Sequence, residues 1–525
     1  MSTIRPAAAL LIFLAVIAVY RVAALVLLDL PLFYDEAYYY SWSQELAAGY
    51  FSKPPMVAWL IAASTQISSA EWGVRLTSPL CYALAAVFVW RAGLLWFSEA
   101  AAAWAGAVLL VLPLVGFNSL FITTDAPMVL CWAAATWALS HAVQTNSWRW
   151  WTALGVMAGL GLLSKYSMGL FLFGVLVFGL WARDYRHYFP HPGPYWAAAV
   201  AAIVFAPNFF WNVSNDFVSW SHTAEISQVD RARFNFSGLF EFVAAQLICV
   251  GPWLLFYCKY LPSGLASDQA FRLDADASTA AAPKPDPESA VTLMQSAGTA
   301  SAATRESNGL KLAISLAAAV FVVIGIQAFI SRANANWAAP GFVGIALVIG
   351  WGISKAKSRR WAVAGLALNL ALMLAFQSYH GVLRVIGVEP SAANDPYDRL
   401  LGWREAVQAL QPYLKADSNL VLLSNSRLVL AKAHYYLREH PPTFAAWNPG
   451  RVVDHHYHLT IDLSEVGGEQ FLFVARNPLP DAALQRFVSS ELLPPIEITV
   501  YPDLVRTLYT YRLQGFRGYA EVADE

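Results

Sequence analysis

About eleven stretches of nearly unbroken apolar sequence occupy the chain up to residue 380, each close to the roughly 20 residues that a helix needs to cross a bilayer. They lie at 7–28, 76–97, 103–122, 126–143, 150–165, 167–182, 194–212, 237–258, 310–330, 337–354 and 361–379. The pair at 150–182 reads equally as one long helix. Of the 525 residues, 58% are hydrophobic and 13% charged, far from the composition of a soluble domain. An α-helical polytopic membrane protein is the expected class. With a net charge of −1 and no Lys/Arg cluster able to grip a phosphate backbone, a nucleic-acid partner is excluded. Cys81, Cys131, Cys249 and Cys258 all sit in apolar segments as small hydrophobes, with no disulfide framework or metal-ligand pair. The run from Ala7 to Leu28 is longer than a signal h-region and lacks a small-residue cleavage site, so it reads as an uncleaved first span.

Short-loop Lys and Arg favour the cytoplasmic side. Placing the N-terminus inside puts Arg5, Arg91, Arg149, Arg183, Arg186, Lys259 and the KAKSRR cluster (Lys355, Lys357, Arg359, Arg360) on that side. An odd number of spans then exports the C-terminal region. Residues 29–75 form the first external loop. Residues 263–308, rich in Ala, Ser, Asp and Pro, are expected to be a disordered cytoplasmic loop, because they hold too few large apolar groups to offset ordering entropy. From 381 to 525 polar helical patterns alternate with strand-like runs, NLVLLS, QFLFVA and IEITVY, which predicts a small external α/β domain without a nucleotide-binding glycine loop.

In this topology the polar groups that interrupt apolar sequence converge on the external face: Asp35, Glu36 and Lys53 in the first loop, Asp125 in FITTDAPM, Lys165 in LLSKYS, His222 in NVSNDFVSWSH, and Arg332 and Asn336 in SRANANWAAP. Each has an ordinary reading. Lys165 could snorkel, Asp125 could cap a helix, and an acidic pair is commonly solvated. Independent anchors would be shared between both faces, however, so the convergence favours one external site. Lys53, Lys165 and Arg332 suit a phosphate or phosphate leaving group, and Asp35 suits a carboxylate that accepts a hydroxyl proton.

The segments FYDEAYYYSWSQELAAGYFSKPPMVAWL, GVRLTSP, TTDAP, GLGLLSKYS and ANWAAP together resemble the membrane glycosyltransferases of the GT-C fold. The similar branch holds protein O-mannosyltransferases, lipid A aminoarabinose transferases and bacterial lipopolysaccharide galacturonosyltransferases. The resemblance covers about residues 10–380. It implies a polyprenyl-phosphate-linked sugar donor, inversion at the sugar, a periplasmic acceptor such as lipid A, lipopolysaccharide core, another glycan or protein, and a bacterial inner-membrane location. It implies Asp35 as general base or acceptor-positioning carboxylate with Glu36 as its orienting partner, and Lys53 and Lys165 at the donor phosphate. Arg332 is added there by its position, and Asp125, His222 and Asn336 are expected as substrate contacts. In the aminoarabinose transferases a carboxylate that helps hold a metal precedes Lys-Pro-Pro; here that position is Ser52, a poor ligand for zinc. No metal ligand is assigned, and a divalent metal is left open.

Two further expectations follow from the pattern. Tyr38, Tyr39, Tyr40 and Trp42 read as an amphipathic helix packed on the bilayer surface. In RVVDHHYHL, His456 and His458 would share one face of a strand, able to ligate metal or to cover the site. The competing functional class is a transporter or flippase for a lipid-linked glycan. It calls for charges near the bilayer midplane and repeated halves, whereas the sequence has no internal repeat and its charges cluster at span ends.

Overall fold

The computed structural model describes residues 5–227, 234–253, 257–265 and 287–519. Every apolar stretch carries a helix. Among the described residues, six helices are long and apolar enough to cross a membrane on their own: Pro6–Leu27, Glu71–Trp96, Asp125–Thr145, Pro192–Ser214, Ser301–Ile330 and Arg360–Gln377. Glu99–Val111, Trp148–Ser164, Leu170–Trp181, Phe236–Val250 and Gly341–Lys355 are shorter. Local chemistry explains the breaks. The stretch 103–122 splits at Leu112, which is extended (φ −55°, ψ 138°) because Pro113 follows it and disfavours helical geometry in its predecessor. The helix predicted over 237–258 stops at Gly251, whose φ of 74° suits a residue without Cβ. The ambiguous pair at 150–182 is two helices, parted by Lys165 in extended conformation.

Small residues bring the helices together, as lipid-embedded packing requires. Gly155 and Gly159 leave room for the helix Pro192–Ser214, since a Cβ there would lie 2.4 Å from Ala197 O and 2.6 Å from Val204 Cβ. Ile12, Val16 and Val19 stay exposed on the first helix, the surface expected to meet lipid tails.

The C-terminal region builds a mixed sheet in the order β2-β1-β3-β6-β4, with β5 paired to β6. The strands are β1 (Val421–Ser424), β2 (Phe444–Ala446), β3 (Gln470–Ala475), β4 (Phe487–Leu492), β5 (Ile496–Tyr501) and β6 (Leu504–Phe516). β1, β2 and β3 are parallel, and β6 is antiparallel to β3. Alternation along the strands feeds two cores. Leu423, Phe471 and Phe473 pack with Trp447 on one side. Leu422, Leu472 and Val474 face the other side, in a core that also contains Tyr38, Tyr40, Trp42 and Val57 from the first loop. Each fully buried Leu or Val contributes about 1.5–3 kcal/mol.

That shared core corrects one expectation. The helix Tyr34–Gln44 is buried, with Tyr38 0% and Trp42 1% exposed, so its aromatics hold the C-terminal region and do not lie on the bilayer. Its cover is the helix Arg427–Tyr436, where Leu32 N–H donates to Tyr436 OH at 2.9 Å and the Lys432 ammonium donates to Leu32 O. A second correction concerns 263–308. Residues from Pro287 belong to the helix Pro287–Ile330, which runs on into the expected span 310–330 and is anchored there by the buried Leu310 and Leu316; 266–286 lie outside the described residues.

The loop is fastened to the spans by one ion pair. Glu36 and Arg75 are each 2% exposed, and Arg75 donates from Nε to Oε1 at 2.9 Å and from Nη2 to Oε2 at 2.6 Å. Arg75 also donates to Leu30 O and Pro31 O, while Glu36 accepts from Phe33 N–H and Ile122 N–H. Removing one partner of a buried pair strands the other charge, at a cost of about 3–5 kcal/mol. Arg75→Met is therefore expected to lower the unfolding midpoint of the detergent-solubilised chain sharply, and the double variant with Glu36→Gln to recover part of the loss. An unchanged midpoint in Arg75→Met would contradict this role.

Candidate active site

Asp35 and Glu36 open the helix Tyr34–Gln44, where carboxylates complement the free N–H groups of the first turn. Successive helical residues point about 100° apart, and the two carboxylates part accordingly. Glu36 turns inward to Arg75 and its carboxylate pairs with that guanidinium, so it clamps the helix that carries Asp35. Asp35 turns to the C-terminal region and meets Arg427 at 3.5 Å, with side chains 34% and 31% exposed. Burial raises the Asp35 carboxyl above its ordinary value, and Glu36 adds to that, against the lowering effect of Arg427 and Lys53.

Lys53 stands at a short bridge in which Tyr50 N–H donates to Lys53 O at 3.2 Å. The two prolines after it fix the backbone leading into the helix Met56–Thr65. Lys53 has no ion-pair partner among the described residues. Burial, followed by the Lys165 cation, pushes its ammonium down to about 8, against the opposing pull of Asp35 and Asp125.

Lys165 ends the helix Trp148–Ser164, where a cation faces unpaired carbonyls favourably. It donates to Asp125 Oδ1 at 2.6 Å, and Asn336 Nδ2 donates to Asp125 Oδ2 at 2.6 Å. Asp125 starts the helix Asp125–Thr145 and is 1% exposed. Three expected site residues from three separate helical segments thus form one chain of charge-assisted bonds. His222 packs on Phe51 with ring centroids 4.6 Å apart, and burial, with help from Lys53 and Arg427, depresses it to about 4. It is a neutral imidazole at neutral pH. Arg332 is exposed and its guanidinium has no hydrogen bond or ion pair among the described residues, so nothing ties it to the cluster.

The described residues do not bring together a set of metal ligands. Ser52 is buried beside Lys53, Asp35 faces a guanidinium, and among the described residues no three His, Cys, Asp or Glu groups converge as ligands. The histidine segment is also corrected: 457–460 is a helical turn and not a strand. The His455 and His458 rings meet at a tilt with centroids 3.7 Å apart, and His456 N–H donates to Tyr38 OH, so the segment braces the first-loop helix.

A family model described as dolichyl-phosphate-mannose-protein mannosyltransferase matches residues 52–211. The lipid A galacturonosyltransferase RgtD of Rhizobium johnstonii is 29% identical over 321 residues, 61% of this chain, and the chain spans 60% of that relative's length. ArnT of Cupriavidus metallidurans, in the apo state, superposes with a TM-score of 0.61 at 16% identity, covering 96% of this chain and 97% of that one. The chain has the GT-C fold. The same protein bound to undecaprenyl phosphate matches equally, with a TM-score of 0.61 and 17% identity over 95% of this chain and 97% of that one.

Within this GT-C fold, sequence reasoning passed over Arg427 and Lys432. Both lie in the C-terminal region, and only tertiary packing brings them to the first loop. An intervening signal existed: a lysine on the apolar helical pattern RLVLAKAHYY is a buried cation in need of a partner. It is 0% exposed, and burial lowers it to about 7.

Competitive acylation across pH 6–11 is expected to give Lys53 a midpoint near 8, against about 10.4 for an ordinary lysine. Asp35→Asn removes a carboxylate that favours the ammonium and should move the midpoint lower. A Lys53 midpoint at 10 or above would contradict the geometry.

Proposed function

We propose that the chain is an inverting glycosyltransferase of a bacterial inner membrane. It moves a sugar from a polyprenyl-phosphate donor to a periplasmic acceptor such as lipid A or lipopolysaccharide core, with the site and the C-terminal α/β region on the periplasmic side. The carrying observation is Lys53, a cation with no ion-pair partner among the described residues, within electrostatic reach of Lys165 and Asp125 of the Lys165–Asp125–Asn336 chain and of Asp35. Two neighbouring lysines repel one another, and a phosphate relieves that repulsion. The likeness to a structure holding undecaprenyl phosphate and to a lipid A galacturonosyltransferase supports the same donor and acceptor classes.

In this reading the donor phosphate lies between Lys53 and Lys165, and the acceptor hydroxyl approaches from the side of Asp35. The bond from acceptor oxygen to sugar C1 forms as the bond from C1 to phosphate oxygen breaks, in line, which inverts C1. The hydroxyl proton passes to Asp35, whose burial makes it a stronger base than a solvated aspartate. The polyprenyl phosphate leaves with its new charge held by the two ammonium groups. Asp125 holds Lys165 in place, and Asn336 holds Asp125.

Purified full-length chain given an undecaprenyl-phosphate-linked sugar and lipid A should form glycosylated product. Asp35→Asn and Lys53→Ala should each cut kcat/KM by about 10²–10⁴, with normal turnover by both sinking the assignment. Movement of intact donor across vesicles without product would instead identify a flippase. The pH dependence has a defined sign. Activity needs Asp35 ionised and Lys53 protonated, so kcat/KM should fall as pH drops through a raised Asp35 value and again as pH rises past about 8. Lys53→Arg should remove the alkaline limb; a limb unmoved by that change would exclude Lys53 as its source.

A further inference from the structure

A cleft of about 540 Å³ lies between Tyr34 of the first-loop helix and the segments 425–428 and 476–478 of the C-terminal region. We propose that this cleft seats an anionic group, a phosphate or a carboxylate, carried by the saccharide acceptor. The inference rests on the glycosyl-transfer reading and adds to it where the acceptor is recognised and by what charge.

The lining holds two guanidinium groups, Arg427 and Arg476, two amides, Asn425 and Asn477, and no carboxylate. Arg427 is steadied over the rings of Tyr34 at 5.2 Å and Tyr38 at 5.1 Å, and Arg476 over Trp403 at 5.6 Å. A cation–π contact places a guanidinium without neutralising its charge, and a guanidinium binds a planar or tetrahedral anion with paired donors. Among the described residues the guanidinium of Arg476 has no ion pair or hydrogen bond, and the one carboxylate facing Arg427 is Asp35 at 3.5 Å. Arg506 crowds the same Trp403 ring at 5.3 Å, with its guanidinium spent on Leu401 O and Asp398 O. Asp398 offsets part of the Arg506 charge, whereas Arg476 has no carboxylate partner among the described residues.

Position gives the cleft its purpose. Arg427 joins it directly to Asp35, so an anion seated between the arginines brings the rest of the acceptor within one side chain of the carboxylate that takes the hydroxyl proton. The donor phosphate has its own cations in Lys53 and Lys165. Asn425 also lines an adjoining cavity of about 580 Å³ that presents Asn448, Asp454 and Tyr519, groups suited to sugar hydroxyls. The two cavities together offer a track for an extended glycan whose charged end lies at the reaction site.

The test uses full-length chain in nanodiscs and three probes: lipid A bearing its phosphates, the same lipid A after phosphatase treatment, and a core oligosaccharide carrying uronic acid. Tighter binding of one charged probe than of the dephosphorylated lipid A is expected, and which probe binds identifies phosphate or carboxylate as the source. Arg476→Gln should weaken that probe about tenfold, the loss of one charge-assisted contact, while its unfolding midpoint and its affinity for undecaprenyl phosphate match the unsubstituted chain. Arg476→Lys should restore part of the affinity. Equal binding of charged and uncharged probes, or unchanged binding by Arg476→Gln, would overturn the cleft assignment whether or not transfer occurs. Charge-selective binding with no transfer from any polyprenyl-phosphate sugar would overturn the glycosyl-transfer reading while leaving an anion site.

Discussion

Both carboxylate oxygens of Glu36 are engaged by Arg75, and both residues are almost wholly out of solvent. At that depth each charge costs several kcal/mol unless matched, and here the remaining donors and acceptors are taken up by backbone groups from three places: Leu30 and Pro31 at the end of the first span, Phe33 at the helix start, and Ile122 before Asp125. One buried pair therefore sets the first-loop helix, the helix that begins near Arg75 and the turn that carries Asp125 in one frame. Asp35 is the next residue along from Glu36, and Asp125 follows Ile122 by three residues. The two acidic members of the candidate site, Asp35 and Asp125, take their positions from this buried pair.

The C-terminal region completes that frame from above. Lys432 and Tyr436 grip Leu32, Tyr38 receives His456 N–H, and Arg404 reaches Asp29 and Glu71. The aromatic core shared between loop and sheet packs beneath Asp35 and Lys53 and leaves both side chains only partly exposed. Desolvation then acts on opposite charges with opposite sign: it raises the carboxyl and lowers the ammonium. Both shifts move the groups toward neutral pH, where proton transfer and phosphate binding are sensitive to a small change of environment.

Much of the helical bundle was legible in the sequence because a lipid-crossing helix must advertise itself through a long apolar run, and strands β1, β3 and β5 followed from short apolar or alternating runs. Convergence of Asp125, Lys165 and Asn336 was also legible, since topology alone assigns them one face. The roles of Asp35 and Glu36 were not separable, because adjacent letters say nothing about which side chain finds Arg75, 39 residues further on. The tyrosine cluster misled for a related reason: aromatic residues suit an interface belt and a buried core equally, and only the packing of Tyr38 against Tyr457, with rings 5.3 Å apart, distinguishes them. Arg427 carried no local signal at all. Its meaning comes from a helix docking onto a loop at the opposite end of the chain.

The central claim is sugar transfer to an envelope glycan, and the most direct measurement is mass spectrometry of lipid A and core glycans from cells with and without this chain. Loss of one sugar mass from a single glycan fragment on removal, restored by the intact chain and not by Asp35→Asn, is the expected result. Identical glycan masses in the presence and absence of the chain would contradict it.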